Sequence, residues 1–158
     1  MANKAYKFRI YPNEEQKVLF TKTFGCVRFI YNQMLADKIE YYKETKKKLN
    51  NTPAQYKTEF EWLKEVDSLA LANAQMNLQK AYNNFFTNPK TGFPKFKSKH
   101  KNRKSYTTNN QKGSITLENG CLKLPKANGL IQVKQHRQIP SDYKIKSVTI
   151  SQTPSGKY

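Results

Sequence analysis

From Ala5 to Ile10 apolar and polar side chains alternate, with Tyr6, Phe8 and Ile10 on one face and Lys7 and Arg9 on the other, the period-two pattern of a half-buried strand. Pro12 ends it. Asn13 then stands where a helix N-cap belongs, with Glu14 and Glu15 in the first turn and Gln16 placed to complete a capping box. The pattern predicts a first helix from there to about Phe24. Gly25 reads as its left-handed terminator, and Val27, Ile30, Tyr31, Met34, Leu35, Ile39 and Tyr42 mark the apolar stripe of a second, longer helix. Residues 13–45 are thus expected to form a helix–Gly–helix unit. The acidic Asp37, Glu40 and Glu44 on the second helix favour packing over groove reading.

Lys46-Lys47-Lys48 suits the negative end of that helix, and Asn50-Asn51-Thr52-Pro53 makes a turn before a shorter helix through Gln55, Phe60, Trp62 and Leu63. Ser68 reads as the cap of the clearest helix in the chain. Its apolar face is Leu71, Ala74, Leu78, Ala81 and Phe85, while Asn73, Asn77, Lys80 and Asn84 fall opposite. That amide row is either a plain wet surface or a contact to nucleotides. Beyond it, short β segments are predicted at 105–109, 114–117, 121–124, 130–134 and 147–152, separated by turn signals such as Glu118-Asn119-Gly120 and Asn128-Gly129. With the N-terminal strand they suggest a small barrel or half-barrel, into which residues 13–88 are inserted as helices.

Composition narrows the partner. The 158 residues, 37% apolar, allow one modest domain or two small subdomains and exclude a large enzyme. The net charge is +18, and it is unevenly placed. Residues 1–67 hold 13 basic and 9 acidic side chains, residues 68–158 hold 16 and 2, so the halves carry +4 and +14. A polyanion is the natural partner. A membrane surface is disfavoured because the basic residues alternate with Tyr, Phe, Asn and Gln rather than lining an amphipathic helix. No secretory leader or bilayer-length apolar run is read, so a cytoplasmic location is expected. Cys26 and Cys121 are single and widely separated, which predicts reduced structural thiols and no metal site.

Residues 89–104 form a basic linker without a single acid. Lys90, Lys95, Lys97, Lys99, Lys101, Arg103 and Lys104 crowd together, and like charges this close need free solvation or a phosphate backbone. Lys95, Lys97, Lys99, Lys101, Arg103 and Lys104 are the candidate phosphate contacts. The interleaved Phe93 and Phe96 offer faces for packing or base stacking. At the far end, Thr153-Pro154-Ser155-Gly156 is a hairpin turn, and the chain stops two residues into the return, which suggests truncation or a natural remnant.

Seven blocks, in order, carry a family resemblance: Ala5-Tyr6-Lys7-Phe8-Arg9-Ile10-Tyr11-Pro12 with Gln16; Phe24-Gly25-Cys26-Val27-Arg28-Phe29-Ile30-Tyr31-Asn32; Trp62-Leu63 with Val66-Asp67; Ala81-Tyr82-Asn83-Asn84-Phe85-Phe86; Gly92-Phe93-Pro94-Lys95-Phe96-Lys97; Ser105-Tyr106-Thr107-Thr108-Asn109; and Leu122-Lys123-Leu124-Pro125-Lys126. The chain resembles the N-terminal portion of the TnpB (OrfB) proteins of insertion sequences, RNA-guided nucleases also described as transposases.

The resemblance implies an α+β fold, a helical recognition domain inserted into a small wedge-type β-barrel, with the RuvC-like nuclease domain and its catalytic acids absent. The first wedge strand would be 1–12, the recognition insertion 13–88 and the truncated wedge strands 105–158. It implies a grip on guide RNA and on target-adjacent double-stranded DNA without cleavage, with no catalytic residue, cofactor or metal in this chain. Positions that read the DNA motif would fall at Asn50, Asn51, Gln55, Ser68 and the loop Thr108, Asn109, Asn110 and Gln111. Ala72, at a further such position, has no side-chain donor, so a different motif is expected. Asn73, Asn77, Tyr106 and Thr107 complete the candidate nucleic-acid contacts. The competing readings are the recognition part of a split or frame-shifted nuclease with a separate cutting chain, and a non-functional remnant.

Overall fold

The computed structural model describes residues 3–158. Only the last part of the N-terminal alternating segment becomes a paired strand, β1 (Arg9–Tyr11), and Ile10 is its buried residue. The capping box then forms as the sequence suggests. Asn13 Oδ1 accepts from the Gln16 backbone N–H at 2.8 Å, and the Asn13 N–H donates to Gln16 Oε1 at 2.9 Å. The same buried Gln16 side chain donates from Nε2 to the carbonyls of Asn128 and Leu130, fixing the helix start against the β region.

The helix that follows, α1 (Glu14–Thr45), runs unbroken for 32 residues, which corrects the expected helix–Gly–helix unit. Gly25 is an interior residue of α1, without a positive φ, and the left-handed terminator is Lys46 at φ 59°. Packing explains the continuity. Phe20 and Phe24 enter one core and Ile30, Met34 and Leu35 another. An unbroken helix through Gly25 buries its N-terminal half in one core and its middle in the other, which outweighs the roughly 1 kcal/mol helix penalty of glycine.

The predicted short helix after Pro53 is instead two 3₁₀ turns, Pro53–Tyr56 and Glu61–Glu65, separated by a non-helical stretch at 57–60. The second long helix, α2 (Ser68–Thr87), is capped by Asp67, not by Ser68: Asp67 Oδ1 accepts from the Leu69 N–H at 3.0 Å. Ser68 is the first helical residue and is exposed. Leu71, Ala74 and Leu78 are buried as the periodicity requires, but Ala81 and Phe85 are only half-buried.

Five further strands follow: β2 (Lys104–Asn109), β3 (Thr116–Glu118), β4 (Cys121–Lys123), β5 (Ile131–Lys134) and β6 (Ser147–Gln152). They form two antiparallel sheets, β1-β5-β4-β3 and β2-β6, and neither closes into a barrel. Asn119 (φ 53°) and Gly120 (φ 72°) make the two-residue β3–β4 turn, whose positive φ angles match the strand twist. Both sheets cover a common core of Ile10, Phe20, Phe24, Tyr106, Ile115, Leu122, Leu124, Ile131, Val133 and Ile150. The turn at Thr153–Gly156 reverses the chain as expected, with the Thr153 N–H donating to the Lys157 carbonyl at 2.8 Å. The return leads to β1, where the Ile10 N–H donates to the Tyr158 carbonyl at 3.2 Å.

The second core, of Cys26, Ile30, Tyr31, Met34, Leu35, Tyr56, Leu63, Val66, Leu71, Ala74 and Leu78, lies between α1, α2 and the 3₁₀ turns. The architecture is therefore α+β, two long helices against antiparallel sheets. Because β1 pairs with β5, all the helices lie in sequence between two strands of the same sheet.

Candidate nucleic-acid interface

The basic segment is bound to α1 at one point. The Lys97 N–H donates to Asn32 Oδ1 at 2.7 Å, and Asn32 Nδ2 donates to the Lys97 carbonyl at 2.9 Å. This reciprocal pair gives an otherwise irregular stretch the hydrogen bonds it would find in a strand. It also sets the Lys97 ammonium over the Tyr31 ring, 4.3 Å from its centroid. Partial burial pushes the Lys97 pKa down from its ordinary value, and the same burial pushes the Tyr31 phenol up.

Beside this clamp a cavity of about 90 Å³ opens between α1, α2, the basic segment and β2. Its rim is cationic, formed by Arg28, Lys97, Lys99, Arg103 and Lys104, and its apolar floor includes Phe24, Val27 and Ala74. No acidic residue lines it. Among the described residues Arg28 has no carboxylate partner, the two ion pairs being Lys17–Glu14 and Lys22–Glu65. Asn102 also lines the cavity, and its buried Nδ2 has no acceptor.

This cleft gathers part of the set read from sequence. Lys97, Lys99, Arg103, Lys104, Asn73, Asn77, Tyr106 and Thr107 all line it. Lys95 and Lys101 do not line it, and both are exposed. Phe93 packs edge-on against Tyr82 and Phe85 yet stays 43% exposed, and Phe96 is 57% exposed.

The remaining amides and hydroxyls, and Asn73 at the cleft, divide sharply. Asn50, Gln55, Ser68 and Gln111 are exposed and free to meet a ligand. Asn51 is occupied on one side only: its Nδ2 donates to the Tyr56 hydroxyl at 2.7 Å and the Tyr56 hydroxyl donates to Asp37 Oδ2, while its buried Oδ1 has no hydrogen-bond partner. Asn110 joins loop to loop, accepting from the Ile115 N–H and donating to the Ile145 carbonyl. Thr108 is buried, with its hydroxyl donating to Asp67 Oδ2. Asn73 Nδ2 donates to Asn109 Oδ1 at 2.7 Å and to the Leu69 carbonyl, tying α2 to the end of β2. Thr108 and Asn110 are thus bonded within the fold, and Asn51 is so bonded through Nδ2.

Sequence reading missed Arg28, Tyr31, Asn32 and Asn102. The first three had a signal, since 28, 31 and 32 share a helix face at spacings of three and four. Asn102 had none, because its meaning depends on the fold of the basic segment.

Among the described residues no group of three or more His, Cys, Asp or Glu side chains gathers where a metal ion could bind, and no helix is long and apolar enough to cross a membrane. Both cysteines are free, Cys26 buried and Cys121 half-buried.

Known proteins resemble the chain over nearly all its length. A family profile described as "Helix-turn-helix domain", of the OrfB type, matches residues 1–47, the stretch that here holds β1 and the unbroken α1. A protein of Streptomyces pristinaespiralis named "Putative RNA-guided DNA endonuclease" is 30% identical over 164 residues, covering 98% of this chain and 40% of that protein. "Putative RNA-guided DNA endonuclease InsQ" of Escherichia coli (strain K12) is 30% identical over 156 residues, covering 94% and 37%. "Virulence protein VsdF" of Salmonella dublin is 37% identical over 113 residues, covering 61% of this chain and 94% of that shorter protein. The chain thus spans about two-fifths of the length of the first two relatives, and on these matches it belongs to the TnpB (OrfB) family of insertion-sequence proteins.

Proposed function

We propose that this chain is a nucleic-acid-gripping portion of a TnpB-like protein, holding guide RNA and target-adjacent duplex DNA without cutting either. The observation that carries the reading is the acid-free cleft rimmed by Arg28, Lys97, Lys99, Arg103 and Lys104. Five cations converging on one concavity repel one another unless an anion enters, and a phosphate backbone supplies regularly spaced anions. The helices supply the recognition part, and the two sheets form an open wedge-type platform.

The names of the two longer relatives describe RNA-guided DNA endonucleases, and the match covers about two-fifths of each. That share supports reading the cutting as a task of regions of those proteins outside the match and the gripping as a task of the region within it. A relative matched over 94% of its own length supports the idea that such a portion can stand alone. Base edges of the DNA would be met by the exposed Asn50, Gln55, Ser68 and Gln111, with Asn77 and Thr107 at the cleft.

The test is to purify the 158-residue chain from its host and sequence the nucleic acid that copurifies. Enrichment of one RNA encoded beside the protein's own gene supports the guide-RNA grip. A folded protein that retains no nucleic acid contradicts it, and an insoluble one supports the remnant reading instead.

A further inference from the structure

We propose that the cleft between α1, α2 and the basic segment is a discrete pocket for one phosphate group, with Arg28 and Asn102 as its specific ligands. The inference rests on the proposed grip only for the source of the phosphate.

The lining favours an anion. Five cationic residues and no acid surround a cleft of about 90 Å³. Chemistry agrees, because the pocket holds two unused donor groups of different kinds. Arg28 is a half-buried residue with no carboxylate within ion-pair reach, and its planar guanidinium fork fits two phosphate oxygens. Asn102 Nδ2 is buried without an acceptor, which is unfavourable until something supplies one.

The third element is rigidity. Asn32 fixes the Lys97 backbone, and the Tyr31 ring holds the Lys97 ammonium, so one wall is in place before a ligand arrives. Exposed lysines such as Lys95 and Lys101 offer only mobile charge. The pocket therefore sets the register of one strand, while the exposed lysines add affinity without position.

The experiment uses the full chain, isotopically labelled for nitrogen, titrated with inorganic phosphate and separately with chloride at equal ionic strength. Saturable shifts of the Arg28 Nε–H and Asn102 side-chain amide signals with phosphate alone support the pocket. Binding of a ten-nucleotide single-stranded RNA, with and without a 5′-phosphate, then identifies the source. Tighter binding of the phosphorylated strand marks a strand end, and equal binding marks an internal phosphodiester.

Arg28→Gln and Asn102→Ala should each weaken RNA binding about tenfold. Arg28→Lys, which keeps the charge but loses the fork, should fall between them and the parent, and it serves if Arg28→Gln does not fold. If neither signal responds to phosphate and the variants bind RNA as the parent does, the pocket is overturned while the general grip stands. If phosphate shifts both signals but the parent binds no RNA, the grip fails and the pocket stands as an anion site.

Discussion

Asn32 and Lys97, 65 residues apart, are joined by two hydrogen bonds of 2.7 and 2.9 Å that tie the acid-free basic segment to the middle of α1. One asparagine thereby converts a run of mutually repelling charges into a wall with a fixed face. Asn32→Ala should lower stability by about 1–3 kcal/mol and abolish amide-exchange protection at Lys97. Unchanged protection at Lys97 in this variant would mean the segment is held elsewhere.

Asp67 has two duties, capping α2 through Oδ1 and accepting the buried Thr108 hydroxyl through Oδ2. Asp67→Ala removes a cap worth about 1 kcal/mol and leaves that hydroxyl unpaired, for a total loss of about 2–4 kcal/mol. Thr108→Val should destabilise by about 1–3 kcal/mol, read from urea unfolding, yet leave nucleic-acid affinity unchanged. Weakened binding with unchanged stability would restore Thr108 to the base-reading role that the resemblance implied.

Gly25→Ala separates the two descriptions of residues 13–45. Gly25 lies inside α1, and an added Cβ meets nothing within 4 Å. The substitution should raise stability by about 0.5–1 kcal/mol. A loss would show that Gly25 needs the left-handed conformation of a helix terminator.

Much of this fold was legible because its signals are local. The capping box at Asn13 and Gln16, the Asn119-Gly120 turn and the short β segment at 105–109 each declare themselves within a few residues, and each forms. Gly25 misled because helix continuity there is decided by two cores that α1 connects, information held in residues far along the chain. Sheet closure was illegible for the same reason, since pairing such as β1 with β5 depends on partners more than 100 residues apart. The basic segment was read correctly as the place of highest charge. Which cations converge was not readable, because convergence depends on Asn32 and on the face of α1 that carries Arg28.

Cys26 gives a pH prediction. Burial, reinforced by nearby Glu65 and opposed by Lys22, pushes its thiol from the ordinary 9.0 up to about 11. A group whose folded pKa is raised contributes stability that is fully present below the unfolded value and lost as pH rises through the folded one. Unfolding midpoints should therefore decline between pH 9 and 11 by an amount that Cys26→Ala reduces. At pH 8 a thiol reagent should label the half-buried Cys121 before Cys26. Equal labelling rates would contradict the burial of Cys26.

The most direct measurement for the nucleic-acid grip is the affinity of the folded 158-residue chain for duplex DNA and single-stranded RNA between 50 and 200 mM salt. If the cleft and the lysines around it meet phosphates, log affinity should fall linearly with log salt. The fall should reach roughly 10³-fold or more for six contacts to duplex, and Arg28→Gln or Arg103→Gln should each reduce the slope by about 1. An affinity that stays nearly constant across that range, or a slope that neither substitution changes, would contradict it.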